Sequence, residues 1–321
     1  MINMNTAVMH DSPIAFPGLF GDWTFTASSK AIDIGGGVYW YGIIIALGVV
    51  LATLFCMRQK EKYGITEDNL FDCLLMGIPA GIIGARIYYV IFYLDLFRNA
   101  DGSLNWGEVI AIWDGGLAIY GTVIGVLIVV FVYTRVKKIS FFALTDLMMM
   151  GLLIGQAVGR WGNFMNREAF GAETDIFCRM QLTLRTGELI EVHPTFLYES
   201  LWNIVGLLII VFFVQKYREF DGEVTWFYFL WYGFGRFWIE GLRTDSLYLF
   251  GWEIFGQPIR VSQAVSVVMV LVAAFMLFYN IKLHPHKKEE LFVNVLAARK
   301  AAEEQAVEEA PAEEVNEEEQ V

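Results

Sequence analysis

Apolar residues gather in runs of about twenty separated by short polar segments, and seven runs emerge: 38–57, 70–97, 115–133, 141–160, 194–214, 224–242 and 261–281. Twenty helical residues rise about 30 Å, the thickness of a bilayer's hydrocarbon layer. The pattern therefore predicts an all-α membrane protein with seven transmembrane helices and a small extracytoplasmic head region. Within the loop 164–193, residues 181–184 and 188–192 alternate around Arg185, Thr186 and Gly187, which predicts a small hairpin in that head. Residues 1–37 hold apolar stretches broken by Pro13, Pro17, Gly21 and Asp22, with no continuous signal-peptide core, and read as an extracytoplasmic interfacial arm. The main domain is then the seven-span core 38–281, including the outer head loop 164–193, followed by a cytoplasmic acidic tail, 282–321, helical over 287–309 and too poor in apolar residues from 310 onward to fold alone.

Composition changes this picture little. Hydrophobic residues make up 56% of the chain and charged ones 18%, as expected for a multi-pass protein, and the net charge is -12. Residues 287–321 carry eleven glutamates against four Lys/Arg, so most of the acidity belongs to the tail and gives no hint of nucleic-acid binding. Orientation follows from basic residues in short loops. With the N-terminus outside, eleven of them, among them Arg58, Lys60, Lys62, Arg135, Lys137 and Lys138, face the cytoplasm; the longer outer segments hold seven. This predicts a bacterial plasma-membrane protein with its N-terminus out and C-terminus in. Cys56, Cys73 and Cys178 show no metal or disulfide spacing, and no metal, nucleotide or soluble-cofactor motif is present.

Ionisable residues inside a span cost about 2.5–3.5 kcal/mol on insertion scales, so each needs a partner or a purpose. Gln156, Arg160 and Asn163 stand at i, i+4 and i+7, on one helix stripe as the fourth span ends; Asn166 and Glu168 follow. Arg236, Glu240 and Arg243 repeat that spacing in the sixth span. A guanidinium offers a planar fork of donors suited to phosphate oxygens, so two such stripes predict a cationic pocket for an anionic lipid headgroup. A structural ion pair around Glu240, and Arg160 reaching to headgroups from a helix end, are the plainer readings. His193 and Pro194 open the fifth span, with Tyr198 and Glu199 one turn in; Tyr120, Arg86 and Tyr41 also sit near span ends. Gly77/Gly81 and Gly155/Gly159 have the spacing of close helix packing.

Taken together these motifs resemble the prolipoprotein diacylglyceryl transferase family. GRWGNFMNREAFG, residues 159–171, is similar to that family's signature, and five further blocks follow the family's order: WYG at 40–42, GARIYYV at 84–90, DGGLAIYG at 114–121, HPTFLYES at 193–200 and GFGRFWIEGLR at 233–243. The likeness covers residues 38–281. It implies a seven-span enzyme that transfers the diacylglyceryl group of phosphatidylglycerol to the lipobox cysteine of a prolipoprotein signal peptide, releasing glycerol phosphate. It further implies that Arg160 and Arg236 contact the headgroup, that Asn163, Glu168 and Gly171 shape the site, and that Tyr41, Glu240 and Arg243 support it; Asn166 and Arg86 join this substrate-binding set. Many members carry histidine where this chain has Tyr120, and that histidine is a favoured candidate for the base. The catalytic candidates here are accordingly Tyr120, Arg160, Arg236, His193 and Glu199, with Tyr120 as first choice for relaying the thiol proton.

The chemistry agrees with this on its own terms. Carbon bearing a phosphate ester becomes a practical electrophile when charge on the departing phosphate is stabilised, and preorganised arginines in a low-dielectric site do that. A phospholipid transporter or lipid-binding membrane protein is the alternative, but the chain lacks the internal repeats expected of one; a scaffold with intramembrane ion pairs is the third reading. All three place membrane lipids among the partners.

Overall fold

A computed structural model describes residues 8–9, 11–33, 37–99, 101–254 and 257–309. The expectation for the tail beyond 309 lies outside the described residues. Each apolar run forms a helix: α1 (Trp40–Tyr63), α2 (Glu67–Phe92), α3 (Ile119–Lys137), α4 (Phe141–Asn166), α5 (Thr195–Tyr217), α6 (Glu223–Leu242) and α7 (Val261–Leu283). Six of them, all but α6, are long and apolar enough by length and composition to cross a membrane. Helix α6 spans twenty residues but carries Glu223, Arg236 and Glu240 among many aromatics, which lowers its hydropathy. The chain is a mostly helical membrane protein with small sheets.

Local chemistry sets the boundaries. Helix α2 starts three residues before the second apolar run because Thr66 and Asn69 form a reciprocal capping box, and Glu67 and Asp68 favour the positive end of the helix dipole. It ends at Phe92, and Leu94–Phe97 is a separate 3-10 turn. Gly115 and Gly116 adopt φ of 87° and 67°, which delays the start of α3 to Ile119.

The chain divides into two compact units, one comprising the described residues up to 59 with 145–288, the other 60–144 with those from 289 onward. In the first unit, β5 (Met180–Thr183) and β6 (Leu189–Val192) form the expected hairpin, turning at Gly187 with φ 88°. Two strands of the N-terminal arm, β1 (Ile14–Ala15) and β2 (Thr24–Phe25), complete an antiparallel sheet of order β2-β1-β5-β6. The arm is thus built into the same sheet as the 164–193 loop, a pairing that sequence periodicity cannot reveal because each arm strand has only two residues. Ile14, Phe16, Met180, Leu182, Ile190 and Val192 pack with Phe164, Phe170 and Phe196 into one buried core. A ribbon of β3 (Lys30–Ile32) and β4 (Val38–Tyr39) leads into α1, and β7 (Tyr248–Ile254) with β8 (Gln257–Arg260) joins α6 to α7.

At the opposite end of α6, the fully buried Asp146 of α4 acts as its cap from outside. Its carboxylate accepts the backbone N–H groups of Gly222 and Thr225, each at 2.8 Å, and the Thr225 hydroxyl at 2.7 Å, while Arg218 lies 3.7 Å away. These are orphan donors of a helix N-terminus, which otherwise have no partner in an apolar surround. Between α5 and α6 a second tie is reciprocal. The Trp202 indole donates to the Trp231 carbonyl and the Trp231 indole to the Trp202 carbonyl, both at 2.9 Å, with the rings stacked 4.3 Å apart. Gly206 and Gly235 leave room for the two rings.

In the second unit α2 and α3 pack closely, and of the glycines the spacing suggested Gly81 lies against Thr122 while a Cβ at Gly77 would meet nothing; backbone also meets backbone at Gly84, Gly121 and Gly125. In the first unit Gly159 of α4 lies against Ile45, whereas a Cβ at Gly155 would meet nothing. The helix α8 (Phe292–Glu309) rests on the turn after α1, with Val293 and Leu296 against Gly64.

Candidate active site

Four elements of the first unit supply one charged cluster. Glu199, in the second turn of α5 and only 4% exposed, is its hub. Arg160 at the end of α4 pairs with Glu199 Oε2, Arg236 Nη1 of α6 lies 3.2 Å from Oε1, and Arg243 Nη1 lies 3.7 Å from Oε1. One turn along α6, Glu240 holds Arg236 at 2.6 Å and Arg243 at 3.9 Å. Asp245 grips Arg243 through two hydrogen bonds of 2.9 and 2.6 Å, and Arg260 donates to the carbonyls of Glu240 and Arg243. The carboxylates of Glu199 and Glu240 are almost fully buried, at 4% and 2%, whereas the Arg160 and Arg236 side chains are 21% and 18% exposed. The arginine side chains are thus the more accessible part of the cluster and the glutamates the more buried part.

The signature loop continues from Arg160. Its Nη1 donates to Asn163 Oδ1 at 3.3 Å, and Asn163 Nδ2 donates to Glu168 Oε1 at 2.8 Å; Asn166 Nδ2 reaches the same oxygen at 3.3 Å. Glu168 can turn back towards the helix because its neighbours Arg167 and Ala169 adopt φ of 55° and 57°. Gln156, on the same stripe, bonds instead to Tyr228. Gly171 sits where a Cβ would come within 2.7 Å of His193 Cβ and 3.0 Å of the Leu242 carbonyl, so only glycine lets the loop pass between α5 and α6. Its N–H donates to the His193 carbonyl at 2.9 Å. Tyr41 packs its ring on Gly162, again with no space for a Cβ.

His193 Nδ1 lies 3.2 Å from Tyr198 Oη, which in turn is 3.6 Å from Cys178 Sγ. Burial lowers the His193 pKa, so the imidazole is neutral at pH 7. Pro194, expected in the first helical turn, is the N-cap of α5. Tyr120 and Arg86 belong to the second unit. Tyr120 lies in the first turn of α3 with its ring 6.1 Å from that of Tyr88. Arg86 is buried and donates to the carbonyls of Glu108, Val109, Gly115 and Gly116 at 2.5–2.9 Å, which folds the DGG loop around it. Sequence reasoning missed Asp245 and Arg260 as members of the cluster, since neither shares a helical stripe with Arg236; it named Glu199 but not its place at the centre. No group of potential metal ligands occurs among the described residues.

The family model for prolipoprotein diacylglyceryl transferase matches residues 29–279. The chain belongs to this family. It is 43% identical over 264 residues to the phosphatidylglycerol–prolipoprotein diacylglyceryl transferase of Listeria monocytogenes, covering 79% of this chain and 91% of the relative. Proteins of the same name from Oceanobacillus iheyensis and Pediococcus pentosaceus are each 41% identical, over 78% of this chain and 88% and 90% of theirs. As a member of the prolipoprotein diacylglyceryl transferase family the chain is a multi-pass membrane protein of bacteria, and the charged cluster lies wholly within the matched residues.

Proposed function

We infer that the chain is a phosphatidylglycerol–prolipoprotein diacylglyceryl transferase whose headgroup site is the cluster around Glu199. The convergence of Arg160 and Arg236, whose side chains stay partly exposed, on one buried carboxylate carries the assignment of the site. In the reaction the lipobox thiolate attacks the glyceryl carbon that bears the phosphate ester. The carbon–sulfur bond forms as the carbon–oxygen bond breaks, and glycerol phosphate departs with one more negative charge than the phosphodiester had. Arg160 and Arg236 face that growing charge from two helices, and Arg243 supports it from the loop end. The same positive field favours the thiolate, whose ordinary pKa is about 8.5. Asn163, Asn166 and Glu168 hold Arg160 in place, Gly171 and Tyr41 shape the wall, and Arg86 positions the DGG loop.

An apolar groove of about 290 Å³ between α4 and α5, lined by Leu153, Ala157, Trp161, Ser200, Ile204 and Leu207, ends one residue from both Arg160 and Glu199. Its chemistry suits an acyl chain of the phospholipid. The basic-residue bias supports an orientation with the N-terminus outside, in which the arm 1–37 and loop 164–193 would face the extracytoplasmic side, where prolipoproteins emerge, and the tail 282–321 the cytoplasm.

The assay mixes phosphatidylglycerol with a lipobox peptide and detects the diacylglyceryl thioether by mass spectrometry. Arg160→Ala is expected to lower kcat by about 10²–10³, the cost of removing one preorganised donor to developing charge. Wild-type turnover in that variant would remove Arg160 from the chemistry.

Of the proton acceptors, Glu199 is committed to three arginines, and Tyr120 would have to give up its phenolic proton before it could accept another. His193 is neutral and accessible to protonation only at low pH. If it takes the thiol proton, kcat/KM falls as pH drops through a value below the usual 6.5, and His193→Gln abolishes that acid limb. An unchanged limb in the glutamine variant, with activity lost in Tyr120→Phe, assigns the step to Tyr120.

A further inference from the structure

Arg167 lies inside the signature motif, where an arginine would be expected to serve the anion site. The structure gives it another task. It is 1% exposed, and its hydrogen bonds go to backbone carbonyls: Nε and Nη2 to Ser12 at 3.0 and 2.7 Å, Nη2 to Ala27 at 2.7 Å, and Nη1 to Met165 at 2.6 Å. Ser12 and Ala27 bracket the part of the arm that carries β1 and β2, and both precede residue 29, where the family match begins. The same segment is closed at its base by the Ser29 N–H donating to Asp11 Oδ1 at 2.5 Å, and Phe16 within it stacks on Phe164 at 6.2 Å. A side chain of the signature loop thus grips two distant points of a segment outside the family match.

The backbone sharpens the point. Arg167 adopts φ of 55°, a conformation strained for a residue with a Cβ and one that glycine takes freely. Arginine at this position is accounted for by what its side chain does. Its neighbour Glu168 is held by Asn163 and Asn166, and Asn163 in turn accepts from Arg160, so the chain of contacts runs from the arm to the proposed phosphate ligand.

We propose that Arg167 is a positioning residue, a clamp that seats the N-terminal arm on the signature loop and thereby fixes Glu168, Asn163 and Arg160. This rests on the assignment of Arg160 to the headgroup, and two readouts keep the claims separate. In the full-length protein in detergent, hydrogen exchange is followed for peptides covering residues 11–28, and kcat and KM are measured with phosphatidylglycerol and a lipobox peptide. Arg167→Gly relieves the backbone yet removes the clamp. It is expected to raise arm exchange at least tenfold and to lower kcat about tenfold with KM for the lipid changed less than threefold. Arg167→Lys keeps the charge, reaches fewer carbonyls, and should restore part of both; it also carries the comparison should the glycine variant fold poorly. Wild-type exchange in Arg167→Gly overturns the clamp. Fast exchange with wild-type kcat overturns the coupling to the site. Failure of the headgroup assignment would show separately, as full turnover by Arg160→Ala, since arm exchange does not depend on it.

Discussion

Glu199→Ala is expected to lose both stability and turnover, and to lose more stability than any single arginine substitution in the cluster. The carboxylate neutralises Arg160, Arg236 and Arg243 together, so its removal leaves three guanidinium groups near one another with less counter-charge. Removing one partner of a buried ion pair costs about 3–5 kcal/mol. The partial exposure of the arginines puts this case near the lower end. Activity should fall as well, because misplacing reacting groups by about 1 Å can cost on the order of 10²-fold. Thermal unfolding in detergent and the thioether assay check both parts. Glu199→Gln preserves shape and one acceptor oxygen, so it should fall between alanine and wild type. A variant that melts with wild type would mean that Glu199 is not the hub.

The second large effect lies far from the chemistry. Asp146→Ala strips the N-terminus of α6 of its cap and leaves the buried Gly222 and Thr225 N–H groups without the acceptor they have here. A loss of about 2–5 kcal/mol is expected, since each orphaned buried donor costs about 1–3 kcal/mol and the Thr225 hydroxyl loses its acceptor as well. Asp146→Asn, which retains one carbonyl acceptor, should recover part of it. Chemical denaturation of the three proteins in the same detergent measures the difference. Equal midpoints would exclude the capping role.

The helices were legible because a hydrocarbon layer demands long apolar runs, and that demand leaves little ambiguity of period or length. The β5–β6 hairpin was legible too, since Met180, Leu182, Ile190 and Val192 alternate inward around Gly187. The arm strands were not, because a two-residue strand carries no periodicity. Arg160 and Arg236 stood out by cost, as charges in apolar runs. Arg167, beyond the end of the fourth apolar run, did not stand out, and no sequence rule separates an arginine that binds a ligand from one that binds carbonyls. The placement of Glu199 among three arginines is a tertiary fact, created by bringing α4, α5 and α6 together. The glycine contacts were legible only in part, Gly81 and Gly159 but not Gly77 and Gly155, for a related reason: small-residue spacing says that helices approach closely, and their crossing point decides which glycines meet.

The exchange of indoles between Trp202 and Trp231 has a bearing on where such an enzyme can work. Each ring is hydrogen-bonded to the other helix's backbone, so α5 cannot slide along α6 without breaking both bonds at once. Bilayers of different thickness are accommodated by tilting helices or stretching lipid, at fractions of a kcal/mol per ångström. Such adjustment then moves α5 and α6 as a pair, and the spacing of Glu199 to Arg236 stays constant while the lipid around it thins or thickens.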